Sequence, residues 1–270
     1  MNTLADPPLE LSEKEVLTGL QETVSASRLS LFLQCRLKFY FRYVLKLQKP
    51  KTPSLHLGSA VHAVLKQWNK ARWLQKPLSL KEVHEAYLKA WADTSEGKVN
   101  WEAGEEEEEK TTGWRLLDTY LRESHVPANV KPDAVEVAVE ADLSGHGLPR
   151  LIGILDLVQQ KIITDYKTAS STPTAEKVQH TTEVQTTSYA LLYRHNTGTK
   201  EAGLALHHLV KLKNPKVVIT TLPPMTTQQR HRLFHQMDSY LTGIQNKDFI
   251  PSPGHQCSSC EFFNECRQWS

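Results

Sequence analysis

The 270-residue chain lacks several features that assign proteins to common classes. No apolar run approaches the length of a membrane span, and the first residues, MNTLADPPLELSEKEV, carry neither the basic nor the apolar region of a secretory signal. The sequence also has no Walker phosphate-binding loop and no Gly-x-Gly-x-x-Gly, which argues against a built-in nucleotide-driven motor or dinucleotide site. These absences predict a soluble, cytoplasmic protein without a membrane partner.

An excess of charge of one sign is also missing. The chain has 32 basic and 30 acidic residues, a net charge of +2 and a pI near 8.3. This mildly basic balance permits a nucleic-acid partner without arguing for one. With 39% hydrophobic residues, the chain can bury a large core as one domain or as two closely associated ones.

Cysteine is scarce, but three of the four cysteines lie close together. The segment PGHQCSSCEFFNECRQW contains Cys257-x2-Cys260-x5-Cys266, a spacing that lets a short loop direct three sulfurs at one point. A fourth ligand is then missing, and Cys35 is the only other cysteine. Thiols stay reduced in the cytosol, so a metal site is favoured over disulfides. Zinc and an iron–sulfur cluster both remain open.

The periodicity of apolar residues divides the chain into successive parts within one predicted domain, 1–270. Residues 1–26 read as a leader with a short amphipathic piece, and 27–125 have mostly helical spacing. From 130 to 245 the pattern predicts three strands, a helix, two strands and a helix. Residues 250–270 form the cysteine loop, which we expect to close onto Cys35. The fold class is therefore α/β, with a sheet of modest size.

The segment GILDLVQQKIITDYK carries the clearest chemical signal. If the chain reverses tightly after Gln159, that residue pairs with Ile162, and Asp156 then lies opposite Asp165 at about 5 Å. Lys167 shares their face because strand side chains alternate. Two opposed carboxylates repel each other unless a positive charge lies between them. A divalent cation with oxygen ligands would remove this conflict.

Two other interpretations of this hairpin stay open. It could be a surface hairpin whose exposed face happens to carry these charges. The turn also lacks the favoured Asn-Gly pair, so a bulge could shift the register. In the simple register, Leu155, Leu157 and Tyr166 all point to the opposite face.

Five motifs follow one another in a characteristic order over about residues 27 to 266. They are the four cysteines, Gly58-x-x-x-His62, Gly153-x-x-Asp156, Asp165-x-Lys167-Thr168 and Gln185-x-x-x-Tyr189. In these motifs the chain resembles the RecB-like branch of the PD-(D/E)XK nuclease superfamily, which includes AddB-type recombination nucleases and CRISPR adaptation nucleases. Members of that branch pair an N-terminal cysteine with a C-terminal Cys-x2-Cys-x5-Cys to hold a [4Fe–4S] cluster. The resemblance implies a restriction-endonuclease-like core, a small mixed sheet flanked by helices.

The resemblance also implies a role for each motif residue. Asp156 and Asp165 would bind Mg2+ or Mn2+, together with the carbonyl of Tyr166 and the imidazole of His62. Lys167 would orient or activate the attacking water. On a later helix, Gln185 and Tyr189 would reach into the same site from one face. The alternatives are that Tyr189 is a core aromatic and that His62 is a packed residue.

Some residues depart from the family pattern or stay outside the predicted site. Leu155 stands where the superfamily has proline, and Arg36 follows Cys35 where proline is frequent. Glu140 resembles an acidic position of the family but could equally face solvent, and we leave it out of the metal set. His207 and His208 point to opposite sides of one predicted strand and form no joint site.

The resemblance favours a metal-dependent DNA nuclease, specifically a single-strand-specific exonuclease of repair or recombination. Its expected partners are single-stranded DNA and a helicase or other repair protein. Two alternatives remain open, a CRISPR adaptation nuclease that trims DNA and a non-catalytic DNA-binding module of a helicase complex. In the helical part, aromatic and basic side chains could stack on unpaired bases and follow phosphates. These are Tyr40, Phe41, Trp68, Trp73, Arg36, Lys38 and Arg42.

Overall fold

The structure is a computed structural model that describes residues 12–95, 97–123 and 130–269. The first eleven residues of the predicted leader and the last two of the predicted helical part, 124–125, lie outside the described residues. The chain forms two compact units. The first contains residues 1–48, 142–151 and 232–270, and the second contains 49–141 and 152–231. The single domain over 1–270 stays a prediction.

Ten α-helices occur in the described part of the chain. They are α1 (Glu13–Glu22), α2 (Ala26–Gln34), α3 (Arg36–Phe39), α4 (Pro53–Trp73), α5 (Leu80–Trp91), α6 (Glu105–Arg122), α7 (Ala175–Thr181), α8 (Glu183–Thr197), α9 (Thr227–Gln245) and α10 (Phe263–Gln268). A π-helical turn covers Tyr40–Val44, and 3₁₀ turns cover Ser144–His146 and His255–Ser259.

Six strands form one mixed sheet. They are β1 (Thr23–Ser25), β2 (Ala134–Ala141), β3 (Arg150–Gln159), β4 (Ile162–Ala169), β5 (Gly203–Val210) and β6 (Lys216–Leu222), in the order β1-β3-β4-β5-β6, with β2 also paired to β3. The β4–β5 pair is parallel, and the β3–β4 and β5–β6 pairs are antiparallel. The predicted α/β class with a small mixed sheet flanked by helices is confirmed.

Helices cover both faces of the sheet in the second unit. On one face, apolar residues of α4, α5 and α6 form a cluster with Leu157, Tyr166 and Leu209. On the other face, α8 packs against Val158, Ile163 and Leu204 through a second cluster. β5 is buried along its whole length because both faces of this central strand are covered.

The longest helix, α4, begins at a well-defined cap. The side chain of Thr52 accepts a hydrogen bond of 3.3 Å from the backbone N–H of Leu55, and Pro53 occupies the first turn, where its missing N–H costs nothing. The residues at Leu57, Val61 and Val64 then recur with helical spacing and face the core. This face determines which side of α4 lies against the sheet.

The β3–β4 turn sets the register on which the site depends. Gln160 and Lys161 have φ of 53° and 61°, so both adopt the left-handed conformation of a two-residue type I′ turn without the usual glycine. The backbone N–H of Lys161 donates a 3.1 Å hydrogen bond to Asp133, which holds the turn. Gln159 pairs with Ile162, and the register predicted for the hairpin is confirmed there.

The predicted direction of one side chain on β3 is wrong. Leu157 and Tyr166 pack in the cluster with α4 and α6, but Leu155 packs in the cluster with α8. Strict alternation is therefore broken between Leu155 and Leu157, where the pairing with β4 also ends. A strand freed from its neighbour can rotate, and Leu155 follows the apolar surface of α8.

Candidate active site

β4 places two opposite charges beside each other. Asp165 is almost fully buried, and its Oδ2 lies 2.9 Å from Nζ of Lys167. This contact lacks hydrogen-bond geometry, so Oδ2 is a buried acceptor without a hydrogen-bond partner. The other oxygen, Oδ1, accepts a 2.9 Å hydrogen bond from Nε2 of Gln185. A buried carboxylate oxygen left in this state would be stabilised by a further positive ligand.

Asp156 lies at the point where the pairing between β3 and β4 ends. Its Oδ2 accepts a 3.3 Å hydrogen bond from the backbone N–H of Tyr166 and lies 3.6 Å from Nδ1 of His62. The predicted pairing of Asp156 with Asp165 lies one pair beyond the observed register, but the charge of Asp165 acts directly on Asp156. The structure therefore brings both carboxylates, His62 and the backbone of Tyr166 to one place.

The pKa of Asp156 reports how crowded these charges are. Burial, and then the charge of Asp165, raise the pKa of Asp156 to about 6. His62 and the N–H of Tyr166 act in the opposite direction and stabilise the ionised form. The repulsion predicted from two opposed carboxylates is thus present, and His62 and the N–H of Tyr166 offset only part of it.

α4 supplies His62 because a glycine lets the helix approach β4 closely. A Cβ on Gly58, one turn before His62, would lie 3.3 Å from Oγ1 of Thr168. Nε2 of His62 donates a hydrogen bond to the carbonyl oxygen of Tyr166 at 2.6 Å. His62 therefore contacts two of the groups with which it was predicted to share a metal, Asp156 and the Tyr166 carbonyl.

α8 contributes the remaining predicted residues. Nε2 of Gln185 donates to Oη of Tyr189 at 3.0 Å as well as to Asp165, so one amide links the phenol to the carboxylate. Burial and the charge of Asp165 raise the pKa of Tyr189, which keeps its hydroxyl neutral. The ring of Tyr189 also packs on the apolar cluster of α8. The side chain of Tyr189 therefore packs in the core and also contacts the site.

A third carboxylate near the site was missed at the level of sequence. Glu136 on β2 has a left-handed φ of 49°, and its Oε2 lies 3.1 Å from Nζ of Lys66. Its charge raises the pKa of both Asp156 and Tyr189, which places it in their electrostatic surroundings. Glu140 is exposed instead. The residue that could have indicated a further carboxylate is Lys66, which follows His62 by one helical turn and therefore lies on the same face of α4.

A buried polar chain fixes Tyr166 from behind. Its Oη accepts a 3.0 Å hydrogen bond from Nδ2 of Asn69, whose Oδ1 accepts a 2.7 Å bond from Arg72. Arg72 also donates to Oε1 of Gln159 at 2.8 Å, near the β3–β4 turn. Because the side chain of Tyr166 is anchored, its backbone N–H and carbonyl are held toward Asp156 and His62.

The donor set suits a hard divalent cation. Carboxylate oxygens of Asp156 and Asp165 and the carbonyl of Tyr166 are the oxygen ligands that Mg2+ and Mn2+ prefer. The Oδ2 of Asp165, which is ion-paired with Lys167 but accepts no hydrogen bond, supports this fit. Among the residues that the structure describes, no three His, Cys, Asp or Glu side chains already converge as a metal site. Lys167 occupies the position beside Asp165 that a cation would take.

The four cysteines lie together in the first unit. All four are free and half-buried, and they line one pocket of about 460 Å³, a volume that includes open solvent. Leu37, Phe41 and Phe262 form an apolar cluster against which three of them pack. The structure thus brings Cys35 to the C-terminal triplet, as the family resemblance implies.

The sulfurs influence one another and receive backbone hydrogen bonds. Burial, and then the proximity of the other three thiols, raise the pKa of Cys266. The backbone N–H of Lys38 donates to Sγ of Cys35 at 3.5 Å, and that of Gly254 donates to Sγ of Cys257 at 3.4 Å. Such N–H groups stabilise thiolates bound to metal. Cationic iron or zinc would lower the cost of ionising four adjacent thiols.

The aromatic and basic residues predicted to contact a nucleic-acid strand are mostly engaged elsewhere. Phe41 and Trp68 are buried in apolar clusters, which excludes base stacking by these two rings. Trp73 is 44% exposed, with Nζ of Lys131 5.1 Å from its ring centre. Arg36 pairs with Asp248, and Lys38 and Arg42 both pair with Glu261. Helical periodicity alone could not separate core aromatics from exposed ones.

Comparison with known proteins supplies a family for this geometry. The model of the PD-(D/E)XK nuclease superfamily matches residues 23–267. The crystal structure of a candidate exonuclease from Eubacterium rectale superposes with a TM-score of 0.60 at 14% identity, covering 97% of this chain and 94% of that chain. The latter likeness shows the fold, a restriction-endonuclease-like core. No curated protein matches the sequence. Within the described residues, no helix is both long and apolar enough to span a membrane.

We expect Mn2+ to bind more weakly as the pH falls through about 6, the raised pKa of Asp156. Protonation removes the charge of this carboxylate, so affinity should fall by about tenfold per pH unit below that value. Isothermal titration of the protein with MnCl2 between pH 5 and 8, without nucleic acid, measures this. Asp156→Asn should bind more weakly at pH 8 and lose this titration. Equal affinity of the unsubstituted protein at pH 5 and 7.5 would contradict the assignment.

Proposed function

Because the chain belongs to the PD-(D/E)XK nuclease superfamily, we propose that it is a Mg2+- or Mn2+-dependent nuclease that hydrolyses phosphodiester bonds in DNA. The observation that carries the proposal is the cluster of Asp156, Asp165 and Lys167, which joins two crowded carboxylates to a lysine. An inert DNA-binding module would have no need to maintain this unfavourable arrangement of charge. The function thus follows from the site rather than from the fold alone.

Each residue of the cluster has a distinct task in this proposal. A bound divalent cation would polarise the phosphoryl group and make water a better nucleophile at neutral pH. Asp156, Asp165, the carbonyl of Tyr166 and His62 would hold it, and the 2.6 Å hydrogen bond from His62 orients that carbonyl. Lys167 donates to the phosphate oxygen on which negative charge develops, or orients the water. Gln185 keeps Asp165 in place through its 2.9 Å hydrogen bond.

We propose further that the substrate is single-stranded DNA with a free end, in repair or recombination. Support comes from the resemblance to RecB-like nucleases and from a solved structure of the same fold that is described as a candidate exonuclease. A helicase or another repair protein that supplies unwound strands is the expected partner. Because two of the four predicted base-stacking rings, Phe41 and Trp68, are buried, strand selection should depend chiefly on phosphate contacts and on access to the site.

The cysteine pocket is proposed to hold a [4Fe–4S] cluster, with Cys35, Cys257, Cys260 and Cys266 as ligands. Four thiols around an apolar pocket, with backbone N–H groups on two sulfurs, support this chemistry. Ligation would link residues near both ends of the chain, which removes conformational freedom from the unfolded state. The cluster is therefore proposed to be structural.

Substitution of the charged cluster tests the nuclease proposal. Asp165→Ala removes an oxygen ligand and Lys167→Ala removes the cation beside the phosphate, so each should slow Mg2+-dependent cleavage of DNA by about 10²-fold or more. A fluorescent oligonucleotide assay measures the rate, and circular dichroism confirms folding. Lys161→Asn, which removes a lysine from the turn of the same hairpin, is the matched control. Undiminished cleavage by either active-site variant would refute the assignment.

The requirement for a free end is tested with matched substrates. Linear single-stranded DNA should be degraded in Mg2+, whereas a closed circle of the same sequence should persist, because an exonuclease needs a terminus. Gel analysis over time, with Lys167→Ala as the control for contaminating nucleases, gives the answer. Raised salt should slow degradation steeply, since phosphate contacts release counterions. Equal digestion of circle and line would indicate an endonuclease.

Loss of any one proposed cluster ligand should have the same effect as loss of another. Serine in place of Cys35, Cys257, Cys260 or Cys266 should remove the brown colour and lower the midpoint of thermal unfolding, because a cluster without one thiolate is labile. Anaerobic purification with iron, sulfide and zinc analysis measures this. Ser258→Ala, inside the same loop, is the control. Full iron content in Cys35→Ser alone would exclude Cys35, and zinc instead of iron would exclude the cluster.

A further inference from the structure

A histidine that no motif includes lies next to the lysine of the site. In the parallel pairing of β4 with β5, His208 is the register partner of Lys167. Register partners on adjacent strands share a face, about 4.8 Å apart along the hydrogen-bonding direction. His207 points to the opposite face, where its Nδ1 is hydrogen-bonded to Tyr120 at 2.9 Å. The expected opposite orientation of His207 and His208 is therefore confirmed, and His208 alone shares a face with Lys167.

The imidazole of His208 is buried with one nitrogen unused. The residue is 7% exposed, and its Nδ1 has no hydrogen-bond partner. Burial, and to a smaller extent the charge of Lys167, lower the pKa of His208, whereas the backbone of Leu206 and Val218 acts in the opposite direction. In the tautomer with its proton on Nε2, which the inference below requires, Nδ1 is a hydrogen-bond acceptor. A buried acceptor without a donor is costly, which suggests a partner in another state of the site.

Lys167 needs a new hydrogen-bond acceptor if a metal displaces it from Asp165. Its Nζ now lies 2.9 Å from Oδ2 of Asp165, which is one of the oxygens that a divalent cation would take. Two cations cannot share that oxygen without strong repulsion, so Lys167 must move when the metal binds. The side chain of Lys167 is 36% exposed, so water can solvate the displaced ammonium, but only an acceptor on the protein holds it in a fixed position. Within the described part of the face that Lys167 occupies, Nδ1 of His208 is a buried acceptor with no hydrogen-bond partner.

We propose that His208 is a positioning residue whose Nδ1 accepts a hydrogen bond from Nζ of Lys167 when a divalent cation binds Asp165. The acceptor keeps the ammonium beside the reacting phosphate and lowers the cost of separating Lys167 from Asp165. The role of the ammonium beside the reacting phosphate rests on the proposed nuclease function. The hydrogen bond between Lys167 and His208 concerns metal binding alone and is tested without DNA.

Metal titration in two backgrounds tests the inference. His208→Leu should weaken Mn2+ binding by about three- to tenfold, the effect of one lost hydrogen bond, because Lys167 then competes more strongly for Asp165. In a Lys167→Met background the same substitution should have no effect, since no ammonium needs the acceptor. Isothermal titration with MnCl2 on folded protein measures all four combinations. Equal weakening in both backgrounds, or none in either, would overturn the proposal.

Conservative replacements identify the nitrogen. The oxygen of asparagine can occupy the place of Nδ1, whereas that of glutamine lies near Nε2, so His208→Asn should retain Mn2+ affinity and His208→Gln should lose it. This pair decides the question if His208→Leu does not fold. His56→Asn, at a buried histidine that contacts the carbonyl of Trp91, is the control for loss of an imidazole. Comparable affinity of the Asn and Gln variants would overturn the role of Nδ1.

A kinetic readout separates this inference from the proposed function. On linear DNA, His208→Leu should lower kcat with little change in KM, because the lysine is misplaced in the transition state rather than in binding. An equal loss in the Lys167→Met background would contradict an effect that acts through Lys167. If the unsubstituted protein cleaves no DNA at all, the nuclease proposal fails. The Mn2+ titrations still decide whether Nδ1 of His208 accepts a hydrogen bond from Lys167.

Discussion

The crowding of two carboxylates at the open end of the β3–β4 hairpin is the constraint on which the second unit depends. Asp156 accepts a hydrogen bond from the backbone N–H of Tyr166, and Asp165 accepts one from the amide of Gln185. Lys167 balances part of their negative charge. These partners come from β4 and α8, and α4 adds His62, whose Nδ1 lies 3.6 Å from Asp156, so α4, α8 and the hairpin must all be correctly placed before the charges can coexist. The raised pKa of Asp156 shows that they do so at a cost.

Close packing supplies that placement. Gly58 lets α4 approach β4, and a Cβ on Gly153 would lie 2.8 Å from Cδ1 of Leu192, so α8 approaches β3 only because that position has no side chain. Both motif glycines thus act at a distance from the chemistry, by setting how near His62 and Gln185 come to the carboxylates. The buried chain from Arg72 through Asn69 holds Tyr166 from the opposite face.

The first unit is held by contacts between residues near the two ends of the chain, independently of any cluster. The backbone N–H of Leu37 donates to the carbonyl of Ile250 at 3.1 Å, and Oη of Tyr240 donates to the carbonyl of Leu20 at 2.9 Å. Ion pairs such as that of Lys38 with Glu261 at 2.7 Å add to these. The four thiols therefore lie in a pocket that protein contacts help to shape, and a bound cluster would reinforce it.

The fold class and the hairpin register could be predicted from the sequence, because strand period and turn length are local properties. Folding was needed to bring Cys35 to the C-terminal triplet, to turn Leu155 toward α8, to place Glu136 near Asp156 and to bury Phe41 and Trp68. It alone also set His208 beside Lys167. These outcomes depend on a break in alternation, a left-handed backbone angle and the pairing of strands distant in sequence. The periodicity of the sequence cannot predict any of them, because each arises from packing between elements rather than from the order of residues within one element.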